Sequence, residues 1–273
     1  MDWERVLETL GRVAGTFGLS YRHLGTGEEF AHNPDGLFYA CSVIKVPIMA
    51  EVFRQAEKGL LHLGRPVPIA RHDQVGGSGV LQYLTPGTEL SVLDLITLMI
   101  VVSDNTATNL LLDIIGLDAT TAFMRELGLP NIRVYHKLQV VAADRKDVNV
   151  ISPGDMTRLM TLLSQNKVVS MHASLQMIRI LKQQQYNEHL TKYLPLEPAE
   201  HRATGALPPI EVAHKDGWIG GVRHETGLFY LPGQEYVLTV CTKDAKDDRA
   251  ADEAIAQVGR MVYEWVSAGK AAG

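Results

Sequence analysis

Cysteines and long apolar runs are scarce in this sequence. The two cysteines, Cys41 and Cys241, are too few for a disulfide framework or for a metal cage without histidine, so we expect two reduced thiols and no metal or other cofactor. No run is long and apolar enough to cross a bilayer, and the first residues carry both signs of charge, unlike a secretory signal. The expected location is the cytoplasm, with no membrane partner, although a removed leader would leave no trace.

An excess of one charge is also lacking. The formal net charge is −5 over 273 residues, and the basic residues are scattered rather than clustered. This pattern disfavours nucleic acid as a partner. Because 46% of the residues are hydrophobic, the chain has enough apolar side chains for a sizeable core. The expected partner is a small molecule, and the expected state is a monomer or a small homo-oligomer.

What the chain does contain is β-type sequence near both ends and helical sequence between them. Alternating runs lie at 16–24 and 236–242. Ser91 and Ser152 each precede a helical pattern and are predicted to be N-cap residues. A further helix is predicted at about 187–193, before a Pro-rich linker.

This order predicts an α+β fold, with an antiparallel sheet built from both termini and flanked by helices, interrupted by an all-helical insertion. We place the sheet domain at 1–45 plus 200–273 and the helical domain at 46–199. A ligand cleft is expected between the two parts.

One hydroxyl and one amine stand together in an otherwise apolar segment at the first boundary. Ser42 and Lys45 are three residues apart and share a face if the segment is helical. Lysine has a pKa near ~10.4 in water, so it is a useful base at neutral pH only if burial lowers that pKa by roughly three. The alternative is a helix cap followed by a lysine that extends to solvent. Ser-x-x-Lys alone is a weak pattern, because 164–167 and 267–270 also match it.

Two other short motifs carry polar groups. Ser103-Asp104-Asn105 lies in a break between two apolar helical patterns, and Lys215-Asp216-Gly217-Trp218 is predicted to end a short strand. Each has a structural alternative, as a helix cap or an ordinary strand end.

Taken together, the motifs at 42–45, 103–105 and 215–217 occur in the order typical of the penicillin-recognising serine hydrolases. Over nearly its whole length the chain resembles class A β-lactamases and the related D,D-peptidases, or penicillin-binding proteins. The resemblance implies a β-lactamase/transpeptidase-like fold and a serine hydrolase that acts on a small-molecule acyl substrate.

The resemblance also implies roles for the catalytic residues. Ser42 would attack an acyl carbonyl and form a covalent acyl-enzyme, with Lys45 as its base, either directly or through water. Ser103 would pass the proton to the leaving group, in the positive field of Lys215.

Further positions would bind substrate. By the resemblance, Asn105 binds the substrate amide, and the backbone N–H groups of Ser42 and Trp218 form an oxyanion hole. Gly217 belongs to the same substrate-binding strand, and Arg223 lies near the family's substrate-binding arginine.

The sequence departs from class A enzymes in the long loop before Ser152. Those enzymes use a loop glutamate to activate the water that releases the acyl group, but no glutamate occurs between Glu126 and Glu188. The titratable residues in the loop are His136, Asp144 and Asp147. Acylation is therefore expected to be intact and deacylation of a β-lactam acyl-enzyme slow.

Asp216 is the second departure, because the family usually has a threonine there that helps bind the β-lactam carboxylate. Two carboxylates roughly 5 Å apart repel by about 3 kcal/mol at an effective dielectric constant near 20. Asp216 therefore turns away, pairs with Arg223, or indicates a substrate without that carboxylate. The expectation is an esterase- or amidase-like hydrolase with weak β-lactamase activity.

Two alternatives remain open at this point. One is a D,D-peptidase of the penicillin-binding class, and the other is a non-catalytic pseudoenzyme that keeps the pocket for ligand binding. The retained serine and lysine residues of the three motifs argue against the second alternative.

Overall fold

The computed structural model describes residues 1–139, 147–196 and 208–269. The helices are α1 Trp3–Gly11, α2 Lys45–Glu57, α3 Val92–Val101, α4 Asn105–Ile115, α5 Leu117–Glu126, α6 Pro153–Ser164, α7 Met171–Leu181 and α8 Asp248–Ser267. The strands are β1 Thr16–His23, β2 Glu29–His32, β3 Phe38–Tyr39, β4 Pro66–Pro68, β5 Glu89–Ser91, β6 Val150–Ile151, β7 Glu211–Ile219, β8 Val222–Leu231 and β9 Gln234–Lys243. A short 3-10 helix, Cys41–Ile44, leads directly into α2.

The main sheet joins the two ends of the chain. Its order is β2-β1-β9-β8-β7, and every neighbouring pair is antiparallel. Two of these strands precede the helical region in sequence and three follow it. The predicted α+β class, with an antiparallel sheet from both termini and flanking helices, is confirmed.

Helices cover both faces of this sheet. Helices α1 and α8 pack together on one face with the apolar residues of β1, β8 and β9. Helix α6 packs on the other face, against β1, β8 and β9. Because residue 200 lies outside the described residues and α6 contacts the sheet, the division into 1–45 plus 200–273 and 46–199 stays a prediction.

Helix α2 lies at the centre of the helical region. It contacts α3, α4, α5 and α7, and every residue from Lys45 to Phe53 is buried. A helix that is buried on all sides needs no polar face. Pro47 lies in the first turn, where its missing N–H leaves no helix hydrogen bond unmade. The lysine at the first position of α2 is therefore enclosed by the fold.

One local prediction from the sequence is wrong. The segment 187–193 forms turns rather than a helix, because its polar groups bond to other elements: Leu190 N donates to Glu225 at 2.5 Å, and His189 contacts Asp252 at 2.9 Å. Strand β7, by contrast, ends one residue after the Lys215 motif, at Ile219, close to the predicted position. The strand is longer than predicted, because β8 pairs with it along its full length.

Within the described residues, no helix is both long enough and apolar enough to cross a membrane.

Candidate active site

The Ser42 segment opens into a cleft of about 580 Å³. Side chains and backbone from the 3-10 helix, the glycine-rich loop before α3, the start of α4 and the end of β7 line it. The lining residues are Tyr39, Cys41, Ser42, Gly77, Ser78, Gly79, Asn105, Leu138, Gln139, Tyr186, Trp218, Ile219 and Gly220. The predicted residues Ser42, Asn105 and Trp218 thus meet at one cleft.

Ser42 lies on a tightly held turn. The preceding residue, Cys41, has φ 45°, in the left-handed region that L-residues other than glycine rarely adopt. The turn rests on β7 at Gly217, where an added Cβ would lie 2.7 Å from Ser42 N. Only glycine permits this approach, so Gly217 sets the position of the Ser42 backbone. The Ser42 hydroxyl makes no hydrogen bond to another described residue.

Lys45 points away from solvent toward the second motif. It is 0% exposed, and its Nζ donates to Ser103 O at 2.6 Å, Ser103 Oγ at 3.0 Å and Asn105 Oδ1 at 2.9 Å. The sequence placed the lysine beside Ser42, whereas its hydrogen bonds go to Ser103 and Asn105. Burial lowers the pKa of Lys45 well below its usual value, and the charge of Lys215 lowers it further, against the opposing effects of Asp104 and Asp216.

The second motif is fixed by its own middle residue. Asp104 is the N-cap of α4, accepting from Ala107 N at 2.9 Å, and its other oxygen accepts from Val80 N and Leu81 N at 2.6 and 2.8 Å. Asp104 therefore caps the helix, as one of the two alternatives predicted, while its neighbour Asn105 lines the cleft. Ser103, with φ 54°, turns both its carbonyl and its hydroxyl toward Lys45.

The glycine-rich loop packs closely against this motif. Asn105 donates from Nδ2 to Gly76 O at 3.1 Å while Oδ1 accepts from Lys45, so both ends of its amide are engaged. Gly79 has φ +103°, and an added Cβ would lie 2.3 Å from Asp104 Cα. No larger residue fits there, which explains why this loop needs glycine beside Asp104.

Lys215 and Asp216 form a buried ion pair next to the cleft. Lys215 is 0% exposed and donates to Asp216 Oδ1 at 2.6 Å and to Asp216 O at 2.9 Å. Gln184 Nε2 donates to the same carboxylate at 3.2 Å. Burial acts to raise the pKa of Asp216, but the charge and hydrogen bond of Lys215, together with smaller effects of His189 and His214, outweigh it, so that pKa is lowered.

Arg223 is engaged by two carboxylates of α8. It lies 2.7 Å from Asp252 and 3.1 Å from Asp248, and it donates to the carbonyl of Ile219 at 2.6 Å. It is not among the residues that line the cleft. Of the alternatives for Asp216, pairing with Arg223 is wrong, because each of the two has other partners. Trp218, 59% exposed, does line the cleft.

His224 connects the sheet to the chain just before Ser42. Its Nε2 lies 2.7 Å from Tyr39 O, and its Nδ1 lies 2.7 Å from Arg223 O and 3.1 Å from Thr242 N. Burial lowers the pKa of His224 to about 4, although the hydrogen bonds to the two carbonyls act in the opposite direction. A neutral imidazole therefore holds the Ser42 turn at ordinary pH.

The long loop contributes Leu138 and Gln139 to the cleft wall. Asn109 holds this part of the loop with a pair of backbone bonds, to Leu138 O at 2.9 Å and from Leu138 N at 2.8 Å. Neither His136 nor Asp147 lines the cleft. Asp144, the remaining titratable position of the loop, lies outside the described residues.

Several wall residues were not foreseen from the sequence. Tyr39 and Tyr186 line the cleft from segments without a motif, and Ser78 lies in a loop that the sequence marked only by its glycines. No local signal distinguishes these tyrosines, since their place in the wall depends on which loops the fold brings together.

The described residues contain no group of three or more His, Cys, Asp or Glu side chains that could hold a metal ion. Burial raises the pKa of the Cys41 thiol to about 12, so at neutral pH this neighbour of Ser42 is a protonated thiol.

Comparison with known proteins gives a family and close structural likenesses. The model of the beta-lactamase enzyme family matches residues 3–266. The crystal structure of a beta-lactamase from Sphaerobacter thermophilus superposes with a TM-score of 0.89 at 30% identity and covers 98% of both chains. A variant of PBP-A, solved as an acyl-enzyme complex with penicillin G, gives 0.83 at 28% identity and covers 96% of this chain and 95% of that one.

Sequence likeness to curated relatives ranges from local to nearly full-length, and a beta-lactamase of Streptomyces albus G is 28% identical over 96% of this chain and 84% of that protein. A beta-lactamase of Stenotrophomonas maltophilia is 35% identical over 117 residues, which are 42% of this chain and 38% of that protein. That alignment spans well under two thirds of the relative's length.

Proposed function

The chain belongs to the beta-lactamase enzyme family, and we propose that it is a serine acyl hydrolase that works through a covalent acyl-enzyme on Ser42. The substrates are β-lactams, esters or amides. The observation that carries the proposal is the buried Lys45 amine, which lies 3.0 Å from Ser103 Oγ, close in sequence to the half-buried, cleft-lining Ser42.

The lysine supplies the base. A lysine with its pKa lowered by burial and by Lys215 has a larger share of neutral amine at neutral pH than a lysine in water. In the proposed reaction, Ser42 Oγ bonds to the acyl carbon while its proton passes to Lys45, directly or through a water molecule.

The hydrogen bond from Lys45 to Ser103 provides a path along which that proton is transferred toward the leaving group. The proton moves from the amine to Ser103 Oγ, and the hydroxyl gives its own proton to the departing oxygen or nitrogen as the acyl–leaving group bond breaks. Lys215 does not donate to Ser103 in this arrangement, since its hydrogen bonds go to Asp216. Its role in the proposal is to keep the pKa of Lys45 low.

The oxyanion is stabilised by backbone donors. Strand β7 is the outer strand of the sheet, and the 3-10 helix lies against it. The N–H groups of Ser42 and Trp218 therefore come from two segments in contact through Gly217. Losing one such donor typically lowers kcat by roughly 10²–10³.

Release of the acyl group is proposed to be slow. The sequence has no glutamate between Glu126 and Glu188, and neither His136 nor Asp147 lines the cleft. No carboxylate among the described cleft-lining residues can activate the water, so a penicillin adduct should persist on Ser42.

Intact-mass spectrometry tests this function. Purified protein and Ser42→Ala are incubated with penicillin G and, in parallel, with an activated p-nitrophenyl ester. A lasting penicillin adduct on the parent protein alone, together with Ser42-dependent ester turnover, is expected. Fast penicillin turnover without an adduct would remove the slow-release step, and no Ser42-dependent reaction with either compound would remove the enzyme itself and favour a ligand-binding pseudoenzyme.

The likeness to PBP-A favours a second candidate function, a D,D-peptidase. Release of the terminal residue from a peptide ending in D-Ala-D-Ala, measured alongside the ester, would distinguish the two. Peptide turnover faster than ester turnover would make the peptidase the better description.

A further inference from the structure

The cleft beside Ser42 is electrically neutral in its described walls. Every described lining residue is uncharged, and five of them present aromatic or aliphatic side chains: Tyr39, Leu138, Tyr186, Trp218 and Ile219. The polar lining side chains, such as those of Ser78 and Gln139, are uncharged. Such a cleft favours apolar groups, and its described walls offer a charged group no opposite charge in exchange for its lost water.

Among the described residues, the cations close to the cleft are already paired. The ammonium of Lys215 is neutralised by Asp216 at 2.6 Å, within a site where both residues are almost fully buried. Arg223 is not among the cleft-lining residues, although its guanidinium lies 5.8 Å from the centroid of the Trp218 ring, and its charge is offset by Asp248 and Asp252. Within the described residues, a substrate carboxylate therefore meets no uncompensated positive charge apart from Lys45.

Lys45 is not available to bind a substrate carboxylate. It is fully buried, and Ser103 and Asn105 accept its three hydrogen bonds. A carboxylate could reach it only by displacing one of these acceptors. The position is thus closed to an incoming anion by the motif itself.

We propose that this cleft selects uncharged acyl compounds with aryl or alkyl groups, and that the Lys215–Asp216 pair sets this preference by cancelling the charge that would otherwise attract a carboxylate. The inference rests on the proposed function and names its substrate class. Asp216 is in this sense a specificity-determining residue, acting through Lys215.

A matched pair of esters tests the preference. One is the p-nitrophenyl ester of phenylacetic acid with a carboxylate in the para position, and the other is the same compound with that carboxylate as its methyl ester. Each kcat/KM is divided by the rate of uncatalysed hydrolysis. At pH 7.5 we expect the neutral ester to be preferred by about tenfold or more, because an unpaired carboxylate loses hydration in the cleft.

A gain-of-charge variant makes the test independent of the buried pair. Gly220 lines the cleft, has no positive φ, and an added Cβ there would meet nothing within 4 Å. Gly220→Lys should raise the ratio of charged to neutral kcat/KM by about 3–10-fold, an effect that shrinks in high salt. Gly220→Gln, which adds similar bulk without charge, should leave the ratio where it was.

The outcomes separate the two proposals. Ser42-dependent hydrolysis with equal rates for both esters, or faster hydrolysis of the charged one, overturns the substrate class and leaves the serine hydrolase intact. No Ser42-dependent hydrolysis of either ester overturns the proposed function, and the substrate class falls with it.

Discussion

Lowering the pH should reduce the free energy of unfolding of this protein, because of His224. The imidazole is fully buried behind the Ser42 turn, with Phe38 packed edge-on at a centroid distance of 6.0 Å and Tyr39 O 2.7 Å from Nε2. Burial lowers the pKa of His224 from 6.5 to about 4. His224 therefore binds a proton less tightly in the native state than in the unfolded chain.

The direction and size follow from linkage. Between pH 6.5 and 4 the unfolded state binds more protons at this residue than the native state does, so the free energy of unfolding falls as the pH falls. The stabilisation is fully present above pH 6.5 and is lost as the pH drops toward 4. At about 1.4 kcal/mol for each pH unit, the pKa difference corresponds to about 3 kcal/mol.

Urea unfolding followed by tryptophan fluorescence measures this loss. The comparison is between the parent protein and His224→Gln at several values from pH 7.5 to 4.5, because glutamine keeps a donor for Tyr39 O and never takes up a proton. Carboxylates that also respond to acid are common to both proteins and cancel in the difference. The parent should lose about 2–3 kcal/mol more than the variant over this range. Parallel pH profiles would refute the burial argument for His224.

Three further predictions concern the site. Gly79→Ala should destabilise the protein by at least about 1 kcal/mol more than Gly87→Ala, as measured by urea unfolding. Both positions have positive φ, but only at Gly79 would the added Cβ meet Asp104. Equal losses of stability would mean that the loop moves to accommodate the Cβ. Lys45→Met should lower the rate of Ser42 acylation by at least about a hundredfold while circular dichroism shows a native fold; an unchanged rate would exclude the lysine as base. Cys41 should stay unmodified by iodoacetamide at pH 7.5 in the folded protein and react after unfolding, since its thiol pKa is about 12; rapid labelling of the native protein would show a thiolate.

Much of the fold was predictable because its signals are local. Ser91 accepts from Asp94 N and Ser152 accepts from Asp155 N, as their positions before helical patterns predicted, and Pro153 occupies the first turn of α6. Such caps act over three residues, so the sequence contains the whole interaction. The alternating runs at 16–24 and 236–242 likewise become β1 and β9, although the alternation does not show that helices bury both faces of these strands.

The failures share a different cause. The turns at 187–193 form because Glu225 and Asp252, far away in sequence, take up the polar groups of Leu190 and His189. The left-handed φ of Ser103 is similarly imposed from outside, by the lysine that its carbonyl and hydroxyl both contact. No short-range pattern records these partners, so local reasoning could not find them.

Local sequence patterns also fail to predict the ion pairs near the cleft, which matter most for the proposed function. The three motifs name the ionisable side chains near the cleft, but they do not say which cation pairs with which carboxylate. Lys215 bonds to its own neighbour Asp216, while Arg223 bonds to Asp248 and Asp252. Had Arg223 paired with Asp216 instead, Lys215 would be free to attract an anionic substrate. In the proposed function, the motifs supply the groups that carry out the reaction, whereas the pairing of two cations, which depends on the packing of β7 and β8, is what we propose sets the substrate preference.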